Sequence, residues 1–195
     1  MEVPHSRPTI NEEDILCVAS NLRSGKIATG GEVGVFEKEM SDYIGALGGV
    51  AVNSGTSALF LALKALEVKN GDEVILPSYV CASVLSAVNS TGAKPVLADI
   101  ENEGYNICPK SAAEKITART KSIIVPHMFG APAGLEELLE LKVPVIEDCA
   151  QSAGASYNGK KLGSFGAMSI FSFYATKVLT TGHGGMVLTC SKDFL

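Results

Sequence analysis

Two periodicities divide the chain. In residues 1–45 the apolar positions fall at helical spacing. Ile15, Val18, Ala19 and Leu22 mark one helix, and Val33, Phe36, Met40 and Tyr43 a second. Thr9 and Glu12 form a candidate capping box for the first helix, and Gly25 is its stop. Between the two lies SGKIATGGEVG, a polar glycine-rich loop. From residue 50 the rhythm changes to short apolar runs alternating with helix-length stretches. Val50–Asn53, Glu73–Leu76, Pro95–Ala98, Ser122–Val125, Val143–Glu147, Met168–Phe173 and Met186–Thr189 read as seven strands. The nearly all-apolar Ser57–Leu66 and Cys81–Thr91 read as well-buried helices, and Pro109–Ala118 and Ala133–Leu141 as amphipathic ones. Strands apolar on both faces need cover on both sides. The pattern predicts an α/β doubly wound, mostly parallel sheet with helices on both faces. Its boundaries divide the chain into a helical segment with a glycine-rich loop at 1–45 and a larger domain at 46–195.

At 195 residues, 46% hydrophobic and 19% charged, the composition is that of a globular chain. A net charge of −5 without a basic block argues against electrostatic binding to nucleic acid or to an anionic membrane. No apolar run reaches the roughly 20 residues of a membrane span. The polar, proline-broken first ten residues are unlike a signal peptide. A cytoplasmic protein is expected. The five cysteines (17, 81, 108, 149 and 190) form no CxxC pair, so neither a disulfide framework nor a metal site is expected.

Ligands of such sheets sit beyond the carboxyl ends of the strands. The first strand ends in Asn53-Ser54-Gly55-Thr56-Ser57 and runs into an apolar helix. That is either a phosphate cradle at a helix start or a tight turn with a hydroxyl cap. The second strand ends in Pro77-Ser78-Tyr79-Val80-Cys81, a packed turn or a pocket wall. The fifth ends in Glu147-Asp148-Cys149-Ala150-Gln151. A carboxylate there needs a partner: a cationic ring nitrogen, an arginine, or a metal with other ligands. The sixth strand leads to Ser172-Phe173-Tyr174-Ala175-Thr176-Lys177 and then TTGHGG at 180–185. A lysine held away from water in such a turn becomes a nucleophile toward carbonyls. Cradle, carboxylate and lysine together are what pyridoxal 5'-phosphate requires. The stretch 154–161, GASYNGKK, imitates a P-loop. Its last position is Lys161 where a magnesium-binding hydroxyl belongs, and Asn158-Gly159 reads instead as a hairpin turn.

Many of these segments occur in the order seen in one family. The chain resembles the DegT/DnrJ/EryC1/StrS sugar aminotransferases from His5-Ser6-Arg7-Pro8 onward. The resemblance runs through NSGTSAL at 53–59, GDEVILPSY at 71–79, GAKPVLADI at 92–100, HMFG at 127–130, PVIEDCAQSAGASYNGKKLGSFG at 144–166 and FSFYATK at 171–177. It implies a fold-type I PLP-transferase large domain, seven-stranded with one strand antiparallel, and a later small domain absent from this chain. It implies Lys177 as the catalytic lysine that holds the cofactor and shuttles protons. It implies Asp148 at the pyridine nitrogen, Gln151 at the phenolic oxygen, and Gly55, Thr56, Ser57 and Ser172 at the phosphate. At Cys81 many relatives carry a ring that stacks on the cofactor, and at His183 an acid is usual. The segment around Thr29-Gly30 resembles one that reaches a neighbouring subunit, so a homodimer is implied. The implied reaction moves an amino group, typically from glutamate, to a nucleotide-linked keto sugar. Two other readings remain. One is a PLP-binding or interaction fragment, inactive without its other half. The other is a sugar dehydratase of the same family, in which a histidine replaces the lysine found here as Lys177.

Overall fold

The computed structural model describes residue 4, residues 6–25 and residues 27–195. His5 and Lys26, named above within the matching and loop segments, lie outside the described residues. In chain order come α1 (Glu12–Ser24), α2 (Gly31–Ile44), β1 (Gly48–Val52), α3 (Gly55–Ala65), β2 (Glu73–Pro77), α4 (Ala82–Ser90) and β3 (Lys94–Ala98). Then follow α5 (Pro109–Glu114), β4 (Thr120–Pro126), α6 (Leu135–Glu140), β5 (Val145–Asp148), β6 (Ser156–Tyr157), β7 (Lys160–Lys161), β8 (Met168–Ser172) and β9 (Gly185–Thr189).

Seven strands form one sheet in the order β1-β9-β8-β5-β4-β2-β3. Its pairs are parallel except where β9 inserts antiparallel between β1 and β8. Alternate side chains feed two cores. Ile123 and Val125 of β4 pack with α2, α5 and α6, through Met40, Ile44, Ala112 and Leu138. Ile124 and Ile146 pack on the other face with α3 and α4, through Leu59, Leu63, Val84 and Val88. All seven strands read from the sequence are present, with ends shifted by one or two residues. β6 and β7 form the expected hairpin, with Asn158 at φ +47° and Gly159 at φ +78°, the signs its tight turn demands.

Three expectations are corrected: the capping box of α1, the buried face of α2 and the lengths of α5 and α6. The capping box of α1 is not Thr9 with Glu12 but Asn11 with Asp14. Asn11 Oδ1 accepts from Asp14 N at 3.0 Å, and Asp14 Oδ2 from Asn11 N at 2.9 Å. An asparagine two residues on caps as well as a threonine, so a spacing rule restricted to Ser and Thr misses it. On α2 the buried row is Met40 and Ile44, while Tyr43 is half-exposed. Tyr43 instead lies under Lys161 Nζ, 4.8 Å from the ring centroid. The apolar stripe of α1 is uncovered, with Ile15, Val18 and Leu22 all exposed. α5 and α6 are shorter than predicted. After α5, Thr117 and Thr120 close a turn of their own, Thr117 N donating to Thr120 Oγ1 at 2.9 Å.

Candidate active site

The carboxyl ends of β1, β2, β4, β5 and β8 open on one cavity of about 300 Å³. Gly55, Thr56, Cys81, Asp148, Gln151, Ser172 and Lys177 all line it. Ser57 is not among the lining residues. Its N–H donates to Ser54 Oγ at 3.1 Å, and the two hydroxyl oxygens stand 3.0 Å apart. Ser54 is thus the cap of α3, as the hydroxyl-cap reading of this turn expects. The N–H groups of Gly55 and Thr56, the first two of the helix, have no intrahelical acceptor. A Cβ on Gly55 would stand 2.8 Å from Ser172 Cβ and 3.1 Å from Ser172 Oγ. Only glycine lets the start of α3 approach the end of β8 so closely.

Lys177 projects from a loop anchored at Phe173. That ring is buried, makes an edge contact with Phe36 at 5.0 Å, and carries the backbone bonds that close the loop. Phe173 N donates to Gly184 O at 2.9 Å, and its carbonyl accepts from Thr181 N at 3.1 Å. Lys177 N donates to Tyr174 O at 2.9 Å, while Nζ has no hydrogen-bond or ion-pair partner among the described residues.

The two acids ending β5 have different surroundings. Asp148 lines the cavity, is 7% exposed, and accepts one hydrogen bond, from Ala150 N at 3.0 Å. Burial pushes its carboxyl above the ordinary range, against the pull of the Ala150 bond and the charge of Lys177. Glu147 faces away, fully buried. Its oxygens accept from Gly163 N at 2.8 Å and from Phe165 N and Gly166 N at 2.7 Å each. His127 Nε2 stands 3.1 Å from Glu147 Oε2. Burial raises the Glu147 carboxyl, but the bonds from His127, Gly166 and Gly163 outweigh it and leave the group below its usual range. His127 Nδ1 accepts from Ala133 N at 3.1 Å, so the hydrogen-bond network assigns the donor role to Nε2 and both ring nitrogens are satisfied.

Gln151 Oε1 accepts from Phe129 N at 3.2 Å, and its Nε2 donates to Met128 Sδ at 4.0 Å, which leaves one amide N–H as the donor available to a ligand. Cys81 caps α4, and its Sγ accepts from Ser83 Oγ at 3.1 Å. The two bonds from Ser83 hold the thiol below its ordinary range, with a smaller contribution from the charge of Lys177. His127, Glu147 and Cys149 bring three potential metal-ligand atoms within 4.8 Å of one another. Hydrogen bonds already occupy the histidine and carboxylate atoms, and burial drives the Cys149 thiol well up, toward the protonated form that binds no cation.

Sequence reasoning missed Ser54, Ser83, Tyr174 and Thr176 as lining residues. Their neighbours were flagged, and only the direction of each side chain was wanting. The acid-acid pair signalled Glu147, but not that backbone N–H groups of 163–166 would answer it.

The arrangement is that of an α/β domain in which a helix start, a buried carboxylate and a lysine with no side-chain partner among the described residues meet at one strand-end cavity. The chain belongs to the DegT/DnrJ/EryC1/StrS aminotransferase family, whose model matches residues 8–194. It is 41% identical to the spore coat polysaccharide biosynthesis protein SpsC of Bacillus subtilis, over 98% of this chain and 50% of that one. It is 37% identical to GDP-perosamine synthase of Escherichia coli O157:H7, over 97% of this chain and 54% of that one. Among solved structures it matches the PLP form of the putative sugar aminotransferase Spr1654 of Streptococcus pneumoniae. There the TM-score is 0.96 and the identity 31%, over 100% of this chain and 55% of that one. The chain spans about half the length of the curated relatives it matches. Among the described residues no helix is long and apolar enough to cross a membrane.

Proposed function

We propose that this chain binds pyridoxal 5'-phosphate and carries the catalytic lysine of an aminotransferase acting on a nucleotide-linked keto sugar. An amino acid, glutamate by family resemblance, is the donor. A homodimer is the proposed working unit, with residues 46–195 as the cofactor-binding domain and the loop around Thr29-Gly30, within the 1–45 segment, as the part that reaches the partner. The observation that carries the reading is the meeting of Lys177, Asp148 and the Gly55–Thr56–Ser172 cradle around one cavity.

The residues fit the cofactor. The Gly55–Ser172 approach leaves a pocket floor that a Cβ would fill. The unanswered N–H groups of Gly55 and Thr56 suit a phosphate. Asp148 is a buried carboxylate with a single hydrogen bond, short of the partners a charge in that position needs. When bound, the cofactor supplies an aldehyde that accepts an amino group and a ring that delocalises the electrons of a broken C–H bond. Asp148 would hold the proton on the pyridine nitrogen, and Gln151 would donate from Nε2 to the phenolic oxygen. Lys177 Nζ would take the proton from the donor's α-carbon and deliver one to the carbon that receives the amine.

The test is a visible spectrum of the purified chain with added pyridoxal 5'-phosphate, followed by borohydride reduction and peptide mapping. A pyridoxyl group fixed to Lys177, and lost in Lys177→Ala, supports the reading. An unchanged label in Lys177→Ala sinks it.

The uncovered stripe of α1 favours a second reading, a PLP-binding fragment that acts only with another chain. Amine transfer from glutamate by the purified chain, abolished by Lys177→Ala, decides against that one.

A further inference from the structure

Three exposed aromatic rings stand together, two of them next in sequence to residues that line the cavity. Tyr79 and Tyr105 have centroids 5.7 Å apart, and Tyr105 and Phe129 5.3 Å apart. They are 46%, 57% and 64% exposed. Tyr79 directly precedes Val80 and Cys81, which line the cavity, and the N–H of Phe129 is held by Gln151, which lines it too.

The corner is rigid. Buried Asn106, next to Tyr105, donates from Nδ2 to the carbonyls of Ala131 and Pro132 at 3.1 Å each. Its Oδ1 accepts from Met128 N at 2.9 Å. One amide thus ties the Tyr105 loop to the Phe129 turn. Phe129 has φ +56°, the left-handed region that a bulky side chain avoids. The strain is kept at a site where the ring is largely exposed. Tyr105 and Phe129 meet at 85°, edge to face, so the pair takes up one ring face and leaves both faces of the edge-on ring free of its partner. Two perpendicular rings make a corner in which a flat heteroaromatic group stacks on one and takes edge contact from the other. The hydroxyls of Tyr79 and Tyr105 add donors and acceptors for polar edges.

A cavity of about 300 Å³ is at the small end of ligand sites. Cofactor and sugar ring fill it, so the rest of a nucleotide-linked sugar has to lie outside, along the rim. We infer that Tyr79, Tyr105 and Phe129 form the stacking site for the nucleobase of the sugar substrate. The inference rests on the nucleotide-sugar reading above and adds the place where the base is bound.

The chain has five tyrosines and no tryptophan, so tyrosine fluorescence reports on this corner without a tryptophan background. UDP, dTDP and GDP are titrated in turn, with glucose 1-phosphate as the probe that lacks a base. At least one nucleotide is expected to bind about 10-fold or more tighter than glucose 1-phosphate. Tyr105→Leu should weaken that nucleotide about 10-fold and leave glucose 1-phosphate unchanged, the size expected for one lost base–ring stack. Phe129→Leu serves as the second variant if circular dichroism shows Tyr105→Leu to be unfolded. Equal nucleotide affinity in a folded variant, or no nucleotide binding at all, overturns the inference. Unchanged nucleotide affinity together with altered sedimentation gives the corner to a second copy of the chain, and also overturns it. Cofactor uptake at Lys177 is measured in the same samples. Uptake without nucleotide binding removes this inference alone, and failure of both removes the functional reading with it.

Discussion

Glu147 and Asp148 are neighbours at the end of β5, and their surroundings drive their acidities in opposite directions. Successive strand residues point to opposite faces. Glu147 therefore meets His127 and the N–H groups of 163–166, while Asp148 meets the cavity. One acid is answered by hydrogen bonds within the fold, and the other is buried against a cavity with a single one.

This difference has a pH signature. The Glu147 carboxyl is lower in the folded chain than its ordinary value of 4.5, so its stabilisation is present above that value and is lost as pH falls through the folded one. Asp148 is raised from 3.8, so its contribution is favourable only below that value and turns into a cost as pH rises through the folded one. At pH 7, Glu147→Gln should destabilise by about 2–3 kcal/mol, because an amide cannot accept from all of the same donors. Asp148→Asn should stabilise the cofactor-free chain by about 1 kcal/mol while impairing cofactor function. Urea unfolding at pH 7 and at a pH below 4.5 measures both, and a destabilised Asp148→Asn at pH 7 would contradict the assignment.

His127→Leu removes the ring that joins β4 to Glu147 and to Ala133 N. The loss should be roughly 3 kcal/mol, about 6–12 °C in melting temperature for a chain of this size. His127→Asn should recover part of it. Thermal denaturation followed by circular dichroism checks both variants.

Two glycines separate cofactor binding from folding. In Gly55→Ala the new methyl meets the Ser172 side chain at 2.8 Å, so cofactor uptake should drop at least 10-fold in a folded chain. In Gly185→Ala it meets the backbone of Ser54 at 2.4 Å, across the β1–β9 pair, and the chain should fail to fold. Soluble yield and the spectrum with added pyridoxal 5'-phosphate distinguish the two.

Cys81 and Cys149 should differ in reactivity toward iodoacetamide. Cys81 is exposed with its thiol lowered by Ser83, and Cys149 is buried with its thiol driven up. Mass spectrometry should find Cys81 alkylated and Cys149 not, with added pyridoxal 5'-phosphate protecting Cys81. Alkylation of Cys81 at the same rate with the cofactor present would take that residue out of the proposed site.

Much of this was legible from local pattern. Apolar runs between glycine- and proline-marked turns gave all seven strands, because a strand covered on both faces must be apolar throughout. The strand-end rule led to Gly55, Cys81, Asp148, Gln151, Ser172 and Lys177, which share one cavity. The cap at Asn11, the exposure of Tyr43 and the inward turn of Ser57 toward Ser54 were not legible. Each depends on which of two nearby residues wins a contact, and spacing rules treat the two alike.

The sequence by itself determined the strands, the hairpin at Asn158-Gly159, the residues to inspect, and a family resemblance carried by motifs in order. Local propensity and hydrophobic period suffice for these, since each is settled within a few residues. Only the tertiary structure decided that β9 lies between β1 and β8, that Gly55 touches Ser172, that Glu147 is answered by His127 and 163–166, and that Tyr79, Tyr105 and Phe129 form one corner. Those contacts join segments far apart in the chain, and only the packing of the whole sheet and its two cores fixes which of them meet.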